Sequence, residues 1–144
     1  MDPLLDRMAI AYLLDQYFYA VDRHEPAIIR ECFADEATYS SDGGGLNMSS
    51  GEEIGSRLGR GGSYAQTSHV RSSQRVEVTG DTATADTFAI AFLIVDAVAG
   101  SPVIVRGLQY RDVLVRKRDG WRILRRHHST KWQYETTCTE AMVI

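Results

Sequence analysis

Phe88-Ala89-Ile90-Ala91-Phe92-Leu93-Ile94-Val95 is an unbroken apolar run inside a longer stretch, 82–98, that starts after Gly80-Asp81 and closes at Ala99-Gly100-Ser101-Pro102. Turn residues at both ends and β-branched or aromatic residues between them read as one long strand. Upstream, 67–78 is rich in polar and β-branched residues and ends at the same Gly80-Asp81 turn. Downstream, 103–116 closes at Arg118-Asp119-Gly120 and is followed by 121–134. No helical pattern separates these strands, so they form an antiparallel meander and not β-α-β units.

Phe88, Ile90, Phe92 and Ile94 share one parity, and Ala89, Ala91, Leu93 and Val95 the other. A strand apolar on both faces is expected to be covered on both. Helices supply one cover, so the second face is expected to meet another subunit in a homo-oligomer, a dimer or trimer.

The first third reads helical. Asp2-Pro3 is a helix start, with Asp as N-cap and Pro in the first turn. Apolar residues then recur at Leu5, Met8, Ile10, Leu13, Leu14, Tyr17, Phe18 and Val21, a helical period. A second short helix begins near Glu25-Pro26 and carries Ile28, Ile29, Cys32 and Phe33 until Asp35-Glu36 breaks it. Ala37-Thr38-Tyr39-Ser40 reads as a short strand, Asp42-Gly43-Gly44-Gly45 as a flexible loop, and 52–58 as a third helix. Helices first and a long curved sheet after them define an α+β chain, with one domain expected over 1–144.

At 144 residues, with 44% hydrophobic and 24% charged residues, the chain has the size and composition of a globular domain with its own core. The net charge of −3 gives no basic excess for nucleic acid. No apolar run approaches the length of a membrane span, and the N-terminus lacks the pattern of a secretory signal. A cytoplasmic protein without nucleic-acid or membrane partners is therefore expected. Cys32 and Cys138 match no metal-ligand spacing, Cys32 reads as a small core residue, and the histidines supply no ligand set for zinc or iron. No metal and no cofactor are expected.

Three stretches, in this order and spacing, resemble the SnoaL-like branch of the nuclear transport factor 2-like superfamily. They are 9–23 with Cys32-Phe33-Ala34-Asp35-Glu36-Ala37-Thr38-Tyr39; Thr67-Ser68-His69 with 76–85; and Tyr110-Arg111-Asp112-Val113-Leu114-Val115-Arg116 with Asp119-Gly120-Trp121-Arg122-Ile123. The resemblance implies a cone of N-terminal helices against a strongly bent, mostly antiparallel sheet, with a pocket at its wide end. The fold carries dehydratases, a hexachlorocyclohexane dehydrochlorinase, isomerases, polyketide cyclases, epoxide hydrolases and binding modules, so the site must decide the chemistry.

Asp22 follows Phe18 and Leu14 at helical spacing, which turns its carboxylate inward. By resemblance, Asp22 and His69 fall where dehydratases and the dehydrochlorinase keep their catalytic aspartate and histidine. That implies a carboxylate that orients an imidazole base. Tyr17, at a spacing similar to that in a bile acid dehydratase of the superfamily, is either an oxyanion donor or a core tyrosine, with Tyr19 the competing phenol. Tyr39, Tyr64, Leu93, Tyr110, His128 and Trp132 are expected to line the pocket, His128 and Trp132 on shared parity. His24 reads as solvated in a polar turn. Asp112 either supports the site or pairs with Arg126 in a structural network. Arg111 and Asp112 are adjacent and point apart, which disfavours the Arg-x-Asp arrangement of epoxide hydrolases; Asp86, Asp96 and Asp112 remain candidates for the acidic base of a cyclase.

The function expected is a cofactor-independent lyase or isomerase acting on a mostly apolar, ring-bearing molecule. A SnoaL-type polyketide cyclase or a non-catalytic binding module is the alternative. Strand parity conflicts with this at one point: if His69 faces the pocket, Arg71, Ser73 and Arg75 do too, while Val76 and Val78 face away. A bulge between 70 and 76, or a strand bent at the rim of the cone, would resolve it. The stretch 135–144 carries no pattern and is left open between capping the pocket and capping a neighbouring subunit.

Overall fold

A computed structural model describes residues 2–139. Helix α1 (Pro3–Asp22) starts where the Asp2 side chain accepts the Leu4 N–H at 2.9 Å. Helix α2 (Pro26–Glu31) follows a tight turn, and α3 (Gly51–Gly59) is capped by Ser50, whose hydroxyl accepts the Glu53 N–H. Strands β1 (Phe33–Ser41), β2 (Asn47–Met48), β3 (Gln66–Thr79), β4 (Thr82–Ile94), β5 (Pro102–Lys117) and β6 (Gly120–Thr137) form one sheet of order β2-β1-β6-β5-β4-β3. The meander β3 to β6 is antiparallel throughout, and β1 lies parallel to β6. The α+β architecture read from the sequence is the one observed. No described helix is long and apolar enough to cross a membrane.

Several local expectations are corrected. Asp35 and Glu36 do not break the chain but lie inside β1, where their carboxylates reach solvent and pair with Arg30 and Lys117. Strand β4 stops at Ile94, short of Val98. The glycine loop is a defined 3-10 turn over Asp42–Gly44, with φ of +71° and +72° at Gly43 and Gly44, a region open to glycine at no steric cost. His127 ties that turn down through Asp42 at 2.9 Å. On α1, Leu5 and Met8 are exposed, and the buried stripe runs through Asp6, Ile10, Leu14, Tyr17 and Phe18. Strand β6 takes up 135–137, while 140–144 lie outside the described residues.

Four irregularities shape the sheet, one of them between Phe33 and Thr38, where β1 pairs with β6. Strand β3 is bulged between Arg71 and Ser73, which puts Val76 and Val78 on the same inner face as His69. The bulge is therefore the alternative observed, and the parity conflict disappears. Strand β6 skips residues 124 and 131 in its pairing with β5, so its side-chain alternation reverses twice.

The inner face and the helices enclose one core, in which two polar clusters are built. At one end, Arg116 donates both terminal amino groups to the Asp6 carboxylate at 2.7 and 2.9 Å, and Trp121 Nε1 adds a third bond at 3.1 Å. These bonds, with those from Arg116 named first, hold the Asp6 carboxyl down at about 2. In the middle, Arg126 and Asp112, both with fully buried side chains, meet through Nε–Oδ1 at 2.7 Å and Nη2–Oδ2 at 2.8 Å. The Asp112–Arg126 pair is thus the alternative observed.

Removing one partner of such a pair strands the other charge in the core, so Asp112→Ala is expected to cost about 3–5 kcal/mol of stability, read from urea unfolding. For Asp6 the folded pKa lies below the unfolded one, so its contribution is present above about pH 4 and is lost as pH falls toward 2. The stability difference between wild type and Asp6→Asn should accordingly be constant near neutral pH and shrink across that acid window.

Candidate active site

The last turn of α1 carries Asp22 against the start of β3. Thr67 and His69 are two apart on that strand and so share the inner face. The Thr67 hydroxyl donates to Asp22 Oδ1 at 2.8 Å, the His69 backbone N–H donates to Oδ2 at 2.8 Å, and His69 Nδ1 stands 2.6 Å from Oδ1. Burial alone would raise the Asp22 pKa, but hydrogen bonds from the His69 ring and backbone and from Thr67 outweigh it and hold the carboxyl below its ordinary range. An ionised carboxylate only accepts, so His69 Nδ1 is the donor in this contact, and Nε2 is the nitrogen that would carry the lone pair of the neutral ring. Phe18, one helical turn before Asp22, stacks flat on the imidazole at 5.7 Å. Helix and strand thus fix the ring in both position and tautomer.

This pair opens onto a cavity of about 470 Å³. His69, Tyr17, Tyr39, Tyr64, Leu93, Tyr110 and His128 all line it. Tyr17 and Tyr39 lie deep, with their hydroxyls together, and burial raises the pKa of each, so both remain phenols. The Tyr17 ring is also packed over the Arg126 guanidinium at 4.3 Å, so it is a core ring and a wall residue at once. Burial first, then the charge of Arg126, lowers His128 to about 4. Its ring stacks on Tyr110 at 4.9 Å, and both ring nitrogens are buried without a hydrogen-bond partner.

Two expected pocket residues lie elsewhere. Tyr19 is exposed on the far side of α1, under the Arg23 guanidinium. Trp132 is on the outer face of the sheet, stacked on Tyr134, because the bulge at 131 breaks its shared parity with His128. Conversely, Arg57, Arg106 and His24 line the cavity without having been anticipated. Arg106 had a signal, since it shares strand parity with Leu108 and Tyr110. His24 had none: it takes a left-handed φ of +57°, and its ring packs over Gly61 where a Cβ would collide. His127 points outward and is held between Ser40 and Asp42. Among the described residues no group of three or more His, Cys, Asp or Glu gathers as a metal-ligand set. Cys32 is buried, and burial pushes its thiol up to about 11.

A cone of helices on a bent sheet, with its cavity at the wide end, defines the nuclear transport factor 2-like class. Residues 2–127 match the SnoaL-like domain, and the chain belongs to that family. No curated protein sequence matches it significantly. Among solved structures it is similar to a putative scytalone dehydratase from Novosphingobium aromaticivorans (19% identity, TM-score 0.79, covering 98% of this chain and 95% of that one). It is also similar to a hexachlorocyclohexane dehydrochlorinase, LinA type 2 (16% identity, TM-score 0.81, covering 97% and 95%). A third is an ntf2-like protein with a cystatin-like fold from Novosphingobium aromaticivorans (25% identity, TM-score 0.75, covering 89% and 83%).

His128 supplies a test of the cavity's polarity. Its imidazole signals in a proton–carbon NMR titration are expected to shift near pH 4 and to stay flat from 6 to 7. Because its folded pKa lies below the unfolded value, stability should fall as pH drops from about 6.5 toward 4, and His128→Phe should remove that part of the slope.

Proposed function

We propose that the cavity removes a proton from a bound, mostly apolar, ring-bearing metabolite, as a lyase of the dehydratase kind or as an isomerase. The observation that carries this is the direct 2.6 Å contact of Asp22 with His69 Nδ1, which frees Nε2 on the cavity side as a base. A binding module has no need to fix a tautomer. In the proposed reaction His69 Nε2 takes a proton next to an electron-withdrawing group, and Asp22 stabilises the resulting imidazolium. The Tyr17 phenol is suited to donate to the oxyanion that forms. The anion then expels a leaving group, water in a dehydration, or is reprotonated elsewhere as a shifted double bond. A cyclase with an acidic base on a later strand has less support, because Asp112 is locked to Arg126 and Asp86 lies on the outer face bonded to Gln109.

The test is exchange with solvent. Cyclic ketones and hydroxyketones incubated in D2O with wild type are expected to gain deuterium at the acidic carbon or to lose water, read by mass spectrometry. His69→Ala and Asp22→Ala should each reduce the rate by about 10²–10⁴ with an unchanged circular dichroism spectrum. Equal rates in wild type and both variants would rule the dyad out.

We also propose that the outer face packs against a second copy of the chain. Phe88, Phe92, Trp132 and Tyr134 are exposed there, next to Ile90 and Val105 and with no charged residue among them, as in interfaces that are permanently covered. Light scattering is expected to give an oligomer for wild type and a monomer for Phe92→Glu; a monomeric wild type would overturn this.

A further inference from the structure

The cavity wall is more positive than the protein around it. The chain carries a net charge of −3, yet Arg57 and Arg106 line the cavity and no carboxylate is among its lining residues. Neither arginine has a carboxylate partner among the described residues. Arg57 reaches only the Gly45 carbonyl, at 3.5 Å, and Arg106 donates Nε to Gln133 at 2.7 Å, which leaves its terminal amino groups unengaged. Arg106 is half-buried, so solvent screens its charge less than that of a surface arginine.

Two further observations locate the group that would answer this charge. His128 lines the same cavity with two buried ring nitrogens that have no hydrogen-bond partner, and it stands in register with Tyr110, four residues along β5 from Arg106. Arg106 is also in register with Ala91, and Ala91 with His69, so the three form one row across β5, β4 and β3. Adjacent strands are about 4.8 Å apart, which puts the two outer members of the row about 10 Å apart at the backbone. The residue between them is a buried alanine, whose methyl group leaves the space above it open to a ligand.

We propose that the substrate is an organic carboxylate, its charged group held by Arg106, its carbon skeleton crossing Ala91 toward His69. The crossing rests on the proton-abstraction reading; the anion site does not. An apolar body lies against Leu93, Leu108 and Tyr110, and the carboxylate sets which carbon is presented to Nε2.

The experiment is calorimetric titration of the full chain with 2-naphthoate and its neutral isostere 2-naphthamide at pH 7. Wild type is expected to bind the carboxylate at least tenfold more tightly than the amide. Arg106→Gln should abolish that preference, Arg106→Lys should keep it, and so should His69→Ala. Equal affinity for the two probes, no binding of 2-naphthoate, or a preference that survives Arg106→Gln overturns the assignment. Because this readout is binding, it fails independently of the dyad. Deuterium exchange that needs His69 without an anion preference removes the carboxylate alone, and the reverse pattern removes the base alone.

Discussion

A guanidinium buried in the middle of a small α+β cone is the constraint around which the other parts are arranged. Arg126 cannot lose its charge, and burial alone would lower its pKa; the Asp112 carboxylate more than offsets this and pushes it up. Two short hydrogen bonds to Asp112 and the faces of Tyr17, Tyr110 and Phe33 replace water around it, while Nη1 is buried without a hydrogen-bond partner. Such a group is tolerated only where both geometry and packing are right. It therefore holds β5, β6 and α1 in one relation and sets the aromatic floor of the cavity. Its charge also contributes to keeping His128 neutral.

Above that floor, α1 is held to the sheet by three carboxylates spaced along its length. Asp6 takes bonds from Arg116 and Trp121, Asp15 takes two from Arg71, and Asp22 takes three from Thr67 and His69. The first two attach the helix. The third does the same, and its histidine also lines the cavity. The contact that anchors the helix end is therefore also the one on which the proposed chemistry rests, because a carboxylate buried at a helix end needs donors, and a histidine ring is among those the strand offers.

Much of this was legible beforehand. The meander and the α1 stripe behind Asp22 follow from alternation and periodicity along one element at a time, and a bulge between 70 and 76 follows once the resemblance turns His69 inward. The misses have one origin, in features that alternation does not encode. Trp132 was assigned to the pocket because an even count from His128 was carried through residue 131, where the strand slips. Asp35 and Glu36 look like breakers, yet β1 runs on through them across the register shift between Phe33 and Thr38. Tyr19 competes with Tyr17 on paper, since only the packing of α1 decides which of two nearby phenols faces the sheet.

By itself, the sequence determined the order of the helices and long strands and the two faces of each strand as far as its first bulge, and it marked Asp22 and His69 as candidates. These depend on periods of two and 3.6 residues and on resemblance at particular positions. Only the tertiary structure decided that Asp22 and His69, 47 residues apart, meet at 2.6 Å, that β1 runs parallel to β6, and that Arg106 joins His128 on the cavity wall. Those are distances between elements. They depend on how a bulged sheet bends around one helix, which no local pattern in the chain specifies.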